Sequence, residues 1–315
     1  MLRDELVAAP DVELKTFSWR SALLTRFDVF HAHWPENLLA GSSTIKSGVR
    51  RFLTLLLLVK LRVGRVAVVR TMHNLELPSG LSRFDDFVLR RLDAMTTLRI
   101  RLNDSTPTEA GRDYALIPHG HYRDWFGRFE KRPPVPGRLA YFGLIRRYKG
   151  VELLVERFHT LDSSFSLHIG GKPSSAEIRQ TLEDAAGADD RISLDLRYLS
   201  DADLVSIATE AELVVLPYRF MHNSGGALAA LSLGTPVLVP ANDVNARLAA
   251  EVGSGWVMQY EGDLTSAAIE EAHRSATPRP PTPPDLSGRA WSTAGRDHVA
   301  AYRRAVALVG RAYSR

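Results

Sequence analysis

The sequence predicts an α/β protein made of two doubly wound domains, each built on a parallel sheet. Its 315 residues exceed the length at which one hydrophobic core usually stops growing, so two domains are expected. Short β-rich runs alternate with stretches of helical periodicity in both halves of the chain, and this alternation is typical of parallel sheets covered by helices. Three prolines and a glycine fall within residues 131–137 and predict the boundary between the domains.

The first half follows this alternation, with one irregularity at its start. A helix is predicted over residues 2–8, where a doubly wound domain normally opens with a strand. The first strand is therefore expected to be absent, or the chain to begin inside a longer protein. Alternating or apolar runs predict strands at residues 12–17, 27–31 and 66–71. Helical periodicity predicts longer helices at residues 45–62 and 84–92.

The second half repeats the scheme with further short apolar runs. These runs predict strands at residues 139–144, 166–169, 192–196, 213–217 and 236–239. A second proline-rich tract, residues 277–284, precedes a closing helix that starts at about residue 292. The predicted organisation is a first domain at residues 1–132, a second domain at residues 133–290 and a C-terminal helix at residues 291–315.

Composition excludes several classes of protein. The 40 Lys and Arg residues against 36 Asp and Glu residues leave a net charge of +4, which is mild for a nucleic-acid-binding protein. The absence of cysteine excludes a disulfide scaffold, a thiolate metal site and a cysteine nucleophile. No apolar run approaches the ~18 residues of a membrane span, and the N-terminus lacks the apolar core of a signal peptide. A soluble, cytoplasmic protein is expected.

A first candidate binding loop follows the predicted strand at residues 139–144. Gly143 lies at the strand tip, and Arg146 and Lys149 follow before Gly150 opens a helix. A glycine lets a ligand approach the backbone closely, and cations beside a helix N-terminus favour phosphate. The loop therefore predicts a phosphate site, with a solvated basic turn as the alternative.

A second candidate loop follows the predicted strand at residues 213–217 and leads into a helix. Its candidate binding residues are Tyr218, Asn223, Ser224, Gly225 and Gly226. Either Asn223 or Ser224 can cap the helix, and an ordinary capped helix is the alternative interpretation. Two such loops on neighbouring strands of one sheet can hold the two phosphates of a nucleotide diphosphate.

Two charged stretches have less specific interpretations. Residues 46–70 contain seven cations and no acidic residue, and they surround a leucine-rich helix. They predict either peripheral contact with an anionic membrane or a core helix with solvated cations. Asp201 and Asp203 resemble a metal-binding carboxylate pair, but they follow Ser200 at a predicted helix start, where they serve as caps. No catalytic metal is therefore predicted.

These motifs resemble those of a known family. The segments at residues 143–150 and 233–237 (Leu-Gly-Thr-Pro-Val) resemble the two donor-domain motifs of GT-B glycosyltransferases of the family-4 type. Three further segments resemble the acceptor-domain landmarks in the expected order, at residues 28–33, 71–74 and 117–120. Trp291 and the last helix resemble the C-terminal segment that crosses back to the first domain in this fold.

The resemblance implies two Rossmann-like domains facing a cleft, with the acceptor on residues 1–132 and a nucleotide diphosphate sugar on residues 133–290. It implies a hexosyltransferase that needs no metal or other cofactor, similar to bacterial mannosyl- and glucosyltransferases that build exopolysaccharides or glycolipids. GDP-mannose is the favoured donor and UDP-glucose the second. The acceptor would be a saccharide or lipid-linked saccharide, and the two candidate loops would bind the donor. Arg146 and Lys149 would neutralise its diphosphate.

The sequence also departs from the family pattern. Two glutamates of typical members are replaced by Met221 and Ala229, and an arginine by Leu144, with Arg146 as the plausible substitute. These departures indicate an inverting branch, which needs a general base at the acceptor hydroxyl.

The candidates for that base follow two predicted strands of the first domain. His33 and Glu36 follow the strand at residues 27–31, and His73 and Glu76 follow the next one. We expect Glu36 or His33 to be the base and His73 to contact sugar or phosphate. For each histidine, a structural hydrogen-bonding role is the alternative.

Other functions remain open from the sequence. The same fold serves epimerases and phosphorylases. The missing glutamates and the missing first strand are also compatible with a nucleotide-sugar-binding pseudoenzyme or partner subunit without transferase activity. Nucleic-acid binding is disfavoured, because the basic residues lack interleaved aromatic ones.

Overall fold

Within the residues that it describes, 1–73 and 81–313, the computed structural model contains two parallel sheets with helices packed on their faces. The chain divides into two units. The first comprises Met1–Gly120 and Arg289–Arg315, and the second comprises His121–Gly288. The predicted α/β class with two parallel sheets is confirmed.

The first unit is built on a parallel sheet covered on both faces. Its strands in the described residues are β1 (Val29–Ala32), β2 (Ala67–Met72), β3 (Leu98–Arg101) and β4 (Asp113–Leu116), and they pair in that order. Its helices in the same residues are α1 (Leu2–Ala8), α2 (Trp19–Leu24), α3 (Thr44–Val63), α4 (Arg83–Ala94) and the last helix of the chain, Trp291–Tyr313.

The alternation of side chains along β2 explains why both faces are covered. Val68 packs with Leu57 of α3 and Val88 of α4, whereas Val69 points to the opposite face and packs with Ala301 of the last helix. The C-terminal helix therefore completes the core of the first unit, as the resemblance implied.

The second unit contains the other sheet. Its strands are β5 (Arg138–Phe142), β6 (Ser166–Gly170), β7 (Ile192–Asp195), β8 (Leu213–Val215), β9 (Val237–Pro240) and β10 (Val257–Tyr260). Its helices are α5 (Arg123–Phe126), α6 (Val151–Phe158), α7 (Ala176–Ala186), α8 (Asp201–Glu210), α9 (Gly225–Leu233), α10 (Asp243–Val252) and α11 (Ser266–Ala276), so that the last helix of the chain is α12.

The strand order of this sheet is β10-β9-β8-β5-β6-β7. The chain therefore reverses its direction of winding at β5, which pairs with β6 on one side and with β8 on the other. In doubly wound sheets, ligands bind outside the carboxyl ends of the strands at such a reversal. The loops after β5 and β8 leave the sheet at this point.

Most predicted elements agree with these bounds, but the strand predicted at residues 12–17 is wrong. This segment has no regular secondary structure and pairs with no strand of the described residues. It lies instead, with residues of β1, along a cavity of the first unit. Alternation predicts an extended backbone, but a strand also needs a neighbour within hydrogen-bonding distance.

Three strands, β3, β4 and β10, were not predicted. In β3 the apolar residues alternate with Arg99 and Arg101, and the buried Arg99 is neutralised by Asp93 at 2.8 Å. Arginines at alternate positions, of which Arg99 is buried, make the apolar character of β3 hard to recognise in the sequence.

Residues 121–132, assigned from the sequence to the first domain, lie in the second unit. The amide of Tyr122 donates to Oγ of Ser232 at 2.9 Å, and Phe126 is buried in the core of that unit. No helix in the described part of the chain combines the length and the apolarity that crossing a bilayer requires.

Candidate functional site

The tips of β5 and β6 approach each other at the winding reversal of the second unit. The amide of Gly143 donates to the carbonyl of Gly170 at 3.0 Å. A Cβ on Gly171 would lie only 1.8 Å from the carbonyl oxygen of Gly143, and both Gly143 and Gly171 have positive φ. Only glycine therefore fits at position 171 against the tip of β5, and Gly143 leaves the backbone of that tip without a side chain beside Lys149.

Lys149 lies over the tip of β5. Its Nζ is 3.8 Å from the position that a Cβ on Gly143 would occupy and 4.8 Å from the ring centroid of Tyr218. The structure therefore brings the two predicted loops together. Burial, and secondarily the nearby positive charge of Arg146, lower the pKa of Lys149 to about 8. A partly desolvated ammonium of this kind is a strong partner for a phosphate oxygen.

The second loop supplies the N-terminus of α9 to the same place. Ser224 is the cap, since its Oγ accepts from the amide of Ala227 at 3.1 Å. The helix geometry leaves the amides of Gly225 and Gly226 without intrahelical acceptors, so they can bind an anion. A Cβ on Gly226 would lie 3.5 Å from the hydroxyl oxygen of Tyr218, whose pKa is raised by burial.

The other residues that the sequence predicted for donor binding make fewer contacts with Lys149 and the tips of β5 and β6. Arg146 is exposed and acts on the pKa of Lys149 through its charge. Asn223 is half-buried in the loop but is not the helix cap. The positions of the two family glutamates are taken by Met221 and Ala229, which are both buried.

The proposed capping role of Asp203 is confirmed. Its carboxylate accepts from the amide of Ser200 at 3.0 Å, and Oγ of Ser200 accepts from the amide of Asp203. Asp203 also pairs with Arg197 at 2.8 Å. Asp201 accepts from Nε1 of Trp125 at 2.9 Å. The carboxylates of Asp201 and Asp203 therefore both form hydrogen bonds that stabilise the fold.

Two residues near the candidate donor site were not predicted from the sequence. Gly171 directly follows β6, and the glycine pair at residues 170–171 was an available signal, since glycines at a strand end mark close backbone approach. Tyr122 carried no such signal. Its hydroxyl lies 3.5 Å from the position of a Cβ on Gly225, because α5 packs beside α9 in the second unit.

Histidines gather in the first unit, near the carboxyl ends of β1 and β2. The ring centroids of His31 and His33 are 4.2 Å apart, and those of His33 and His73 are 5.7 Å apart. Nδ1 of His33 and Nε2 of His73 are within hydrogen-bonding range at 3.4 Å. The indole of Trp34 stacks on His73 at 4.1 Å with an interplanar angle of 10°. Two candidates predicted from separate strands are thus in contact.

Burial, reinforced by the neighbouring histidines, lowers the pKa of His33 and of His73 to about 4. Both imidazoles are therefore neutral at physiological pH. A neutral imidazole has a lone pair on one nitrogen and a hydrogen on the other, so it can accept a proton from a hydroxyl group.

Glu36, the other candidate for the base, lies three residues beyond His33 in the chain. It belongs to a 3₁₀ turn, Pro35–Leu38, where its carbonyl accepts from the amide of Leu39 at 3.1 Å. Within the described residues its carboxylate forms no ion pair and no hydrogen bond to His33. Asn74 and Glu76, also singled out from the sequence, lie outside the described residues.

The other acceptor-domain landmarks converge on the same region. His31 is held by two hydrogen bonds, one between Nδ1 and the hydroxyl of Tyr302 at 2.7 Å and one between Nε2 and Oγ1 of Thr71 at 2.8 Å. A Cβ on Gly120 would lie 2.3 Å from the ring of Trp291, so only glycine fits against this start of α12. The sequence motifs contained His31 but gave no indication of its partner on α12.

A cavity of about 1280 Å³ lies in the first unit beside β1. Its walls include His31, His33 and Trp34 together with Trp19 of α2 and Tyr302 of α12. Aromatic walls with a few polar groups are typical of sites for small organic ligands. The cavity gives His33 access to such a ligand.

Comparisons with known proteins give a family match and a relative of similar sequence. Residues 136–273 match the family described as glycosyl transferases group 1. The chain is 43% identical over 307 residues to a GDP-mannose:glycolipid 4-β-D-mannosyltransferase of Xanthomonas campestris pv. campestris, covering 96% of this chain and 87% of the relative.

Solved structures of glycosyltransferases share the fold. Sucrose-phosphate synthase from Thermosynechococcus elongatus is similar with a TM-score of 0.56 and 17% identity, over 91% of this chain and 73% of that one. HepE of Anabaena, solved with UDP and glucose, is similar with a TM-score of 0.57 and 13% identity, over 91% and 77%. The family match, the close relative and the shared fold together lead to one assignment: the chain belongs to the group 1 glycosyltransferases and is a glycosyltransferase with the GT-B fold.

Proposed function

We propose that this glycosyltransferase moves mannose from GDP-mannose to a hydroxyl group of a glycolipid and inverts the configuration at the anomeric carbon. The observation that carries the proposal is the 43% identity, over 96% of the chain, to the GDP-mannose:glycolipid 4-β-D-mannosyltransferase. We also propose that the glycolipid is a precursor of an exopolysaccharide, the product class that the sequence motifs indicate.

The second unit supplies the groups for the diphosphate of the donor. The ammonium of Lys149, the amides at the N-terminus of α9 and the bare backbone at Gly143 meet at one place. Negative charge builds up on the diphosphate as the sugar leaves, and these groups stabilise it. We therefore propose that transfer proceeds without a metal ion, and activity should persist in excess EDTA.

Inversion is supported by both the donor side and the acceptor side. Mannose in GDP-mannose is α-linked, so a β-linked product requires attack from the opposite face of the sugar. The buried Met221 and Ala229 leave the second unit without the two carboxylates of typical retaining members. The first unit offers a neutral imidazole, His33, on the wall of its cavity to act as general base.

The first unit also has a surface suited to a membrane. The exposed side of α3 carries apolar residues spaced three or four apart, namely Ile45, Val49, Phe52, Leu56, Val59 and Val63. Ile45 is 79% exposed and Val63 is 77% exposed, whereas Leu57, Leu58 and Leu61 on the other side are buried in the core. The prediction that the leucines pack on the sheet therefore holds for one side of the helix only.

The cations of residues 46–70 also fall into two groups, those that bind a partner within the first unit and those that are exposed on α3. Arg51 pairs with Asp85 at 2.6 Å, Arg70 pairs with Asp93 at 2.5 Å, and Lys60 donates to the carbonyl of Ala22 at 2.8 Å. Lys46, Arg50 and Arg62 are exposed on α3, and of these Arg50 also donates to the carbonyl of Asn37 at 3.2 Å. An apolar stripe flanked by cations is the pattern of a helix that lies on anionic lipid. We propose peripheral membrane contact through this stripe, which would bring the enzyme to a lipid-linked acceptor.

Transfer assays with purified protein test the donor, the acceptor and the stereochemistry. GDP-mannose and UDP-glucose are compared as donors with a lipid-linked saccharide as acceptor, and the anomeric configuration of the product is read by NMR. We expect transfer from GDP-mannose and a β-linked product. Transfer from UDP-glucose alone would refute the donor assignment, and an α-linked product would refute inversion.

Vesicle sedimentation tests the membrane contact. The enzyme is mixed with phosphatidylcholine vesicles, with or without about 30% phosphatidylglycerol. We expect binding to the anionic vesicles that weakens severalfold when Phe52 and Val59 are both replaced by Ser. Leu116→Ser removes an exposed apolar residue of β4 and serves as the matched control. Equal binding by both variants would refute a role for α3.

A further inference from the structure

The hydrogen bond between His33 and His73 restricts how the two rings carry their hydrogens. It joins Nδ1 of one imidazole to Nε2 of the other at 3.4 Å, so one nitrogen must donate and the other must accept. If Nδ1 of His33 donates, its Nε2 keeps a lone pair and can act as a base. If Nδ1 accepts, the hydrogen is on Nε2 and His33 cannot take a proton there.

The two imidazole rings differ in their access to the cavity of the first unit. His33 lies on the wall of the cavity, together with Trp34. His73 is not one of the described residues that line the cavity, and the exposed indole of Trp34 covers one face of its ring. Within the described residues, Nε2 of His33 has no hydrogen-bond partner. The nitrogen available to a ligand thus belongs to His33.

The orientation of His33 is supported from its other side. The ring of His31 packs against it at 4.2 Å, and His31 is itself fixed at both nitrogens by Tyr302 and Thr71. A ring held between two neighbours keeps one rotamer, which a base needs if it is to meet a hydroxyl in a defined geometry.

We propose that His73 is a positioning residue: it accepts the hydrogen bond from Nδ1–H of His33 and thereby leaves Nε2 of His33 as the base for the acceptor hydroxyl. This inference rests on the proposed glycosyl transfer to a hydroxyl group. It assigns His73 a role in orienting the base, whereas the sequence suggested a direct contact of His73 with sugar or phosphate.

The chemical step balances with these groups alone. The acceptor oxygen forms a bond to the anomeric carbon, and the bond from that carbon to the diphosphate oxygen breaks. Its electron pair leaves with the nucleoside diphosphate. The hydroxyl proton moves to Nε2 of His33, and the resulting imidazolium keeps donating from Nδ1 to His73, as in other catalytic pairs in which a second group orients a histidine.

Two substitutions of His73 separate the hydrogen bond from the ring contact. His73→Gln retains an acceptor that can reach Nδ1–H of His33 but loses the aromatic stack on Trp34. His73→Phe retains the stack but removes the acceptor. We expect His73→Gln to keep kcat within about 5-fold and His73→Phe to lose about 10–100-fold in kcat, while KM for the donor changes little in both.

A purely structural role of His73 predicts the reverse order, because stacking would then matter more than the acceptor. A higher kcat for His73→Phe than for His73→Gln, or equal values, would overturn the proposal. His298→Gln removes an imidazole from the same group of histidines without touching this hydrogen bond, and it is expected to keep kcat within about 3-fold. Absence of transfer by the unmodified enzyme would refute the proposed function rather than this pairing.

Nitrogen NMR of the unmodified protein gives a test that does not depend on folding of the His73 variants. In protein labelled with ¹⁵N at histidine, the signals of His33 are identified by their loss in His33→Gln. We expect a protonated Nδ1 and an unprotonated Nε2 at neutral pH. The opposite tautomer of His33 would overturn the proposal.

Discussion

We expect donor binding to be sensitive to alkaline pH, because the proposed diphosphate site contains Lys149. Its pKa is lowered to about 8, first by burial and then by the charge of Arg146. In the proposed site the protonated form binds the diphosphate, so we expect affinity to be complete below this pKa and to fall as the pH rises through it. Replacing Lys149 with Arg keeps a cation that does not lose its proton in this range.

The size of the effect follows from the protonated fraction. A group with a pKa of about 8 is about 90% protonated at about pH 7 and about 10% protonated at about pH 9, which corresponds to a roughly tenfold weaker apparent affinity for GDP. Removing the charge altogether, as in Lys149→Met, eliminates a hydrogen bond to a charged group. At about 1.5–3 kcal/mol, this costs about 10–160-fold in affinity at neutral pH.

Calorimetric titration with GDP between about pH 6.5 and 9.5 measures both effects. Guanine also titrates at alkaline pH, so the comparison of Lys149→Arg with the unmodified enzyme isolates the lysine. Arg147→Gln is the matched control, because Arg147 lies on the same turn but pairs with Glu177 at 3.0 Å. A parallel loss of affinity in Lys149→Arg and the unmodified enzyme would refute the argument.

Further predictions concern stability. Gly171→Ala places a Cβ against the carbonyl of Gly143, and we expect a loss of about 2–4 kcal/mol in urea unfolding; a change below about 1 kcal/mol would contradict the close approach. Ser224→Ala removes the cap of α9, which should lower the free energy of unfolding by about 0.5–2 kcal/mol and also weaken GDP binding. An unchanged affinity for GDP would show that the cap does not contribute to the binding site. Arg51 lowers the pKa of Asp85, so the pair stabilises the fold above the ordinary pKa of a carboxyl group. Asp85→Asn should therefore cost about 1 kcal/mol at neutral pH, and the difference should vanish as the pH falls through the lowered pKa; a constant difference would refute the linkage.

The two loops of the candidate donor site could be located from the sequence because their signals are local. Gly143 and Lys149 follow an apolar run, and Ser224 precedes a helical one, so strand tip, cation and cap can all be read within a few residues. The role of Tyr122 could not be found in this way. Its contact with α9 depends on the packing of a short helix from a segment that the sequence assigned to the other domain.

The sequence by itself determined the alternation of strands and helices and the position of the two glycine-containing loops after β5 and β8, because hydrophobic period and turn-forming residues act over neighbouring positions. Only the tertiary structure decided which distant groups meet. His33 and His73 are 40 residues apart and touch because β1 pairs with β2. Lys149 reaches Tyr218 because β5 pairs with β8. These pairings result from burial of whole strands in a common core, which no local pattern encodes.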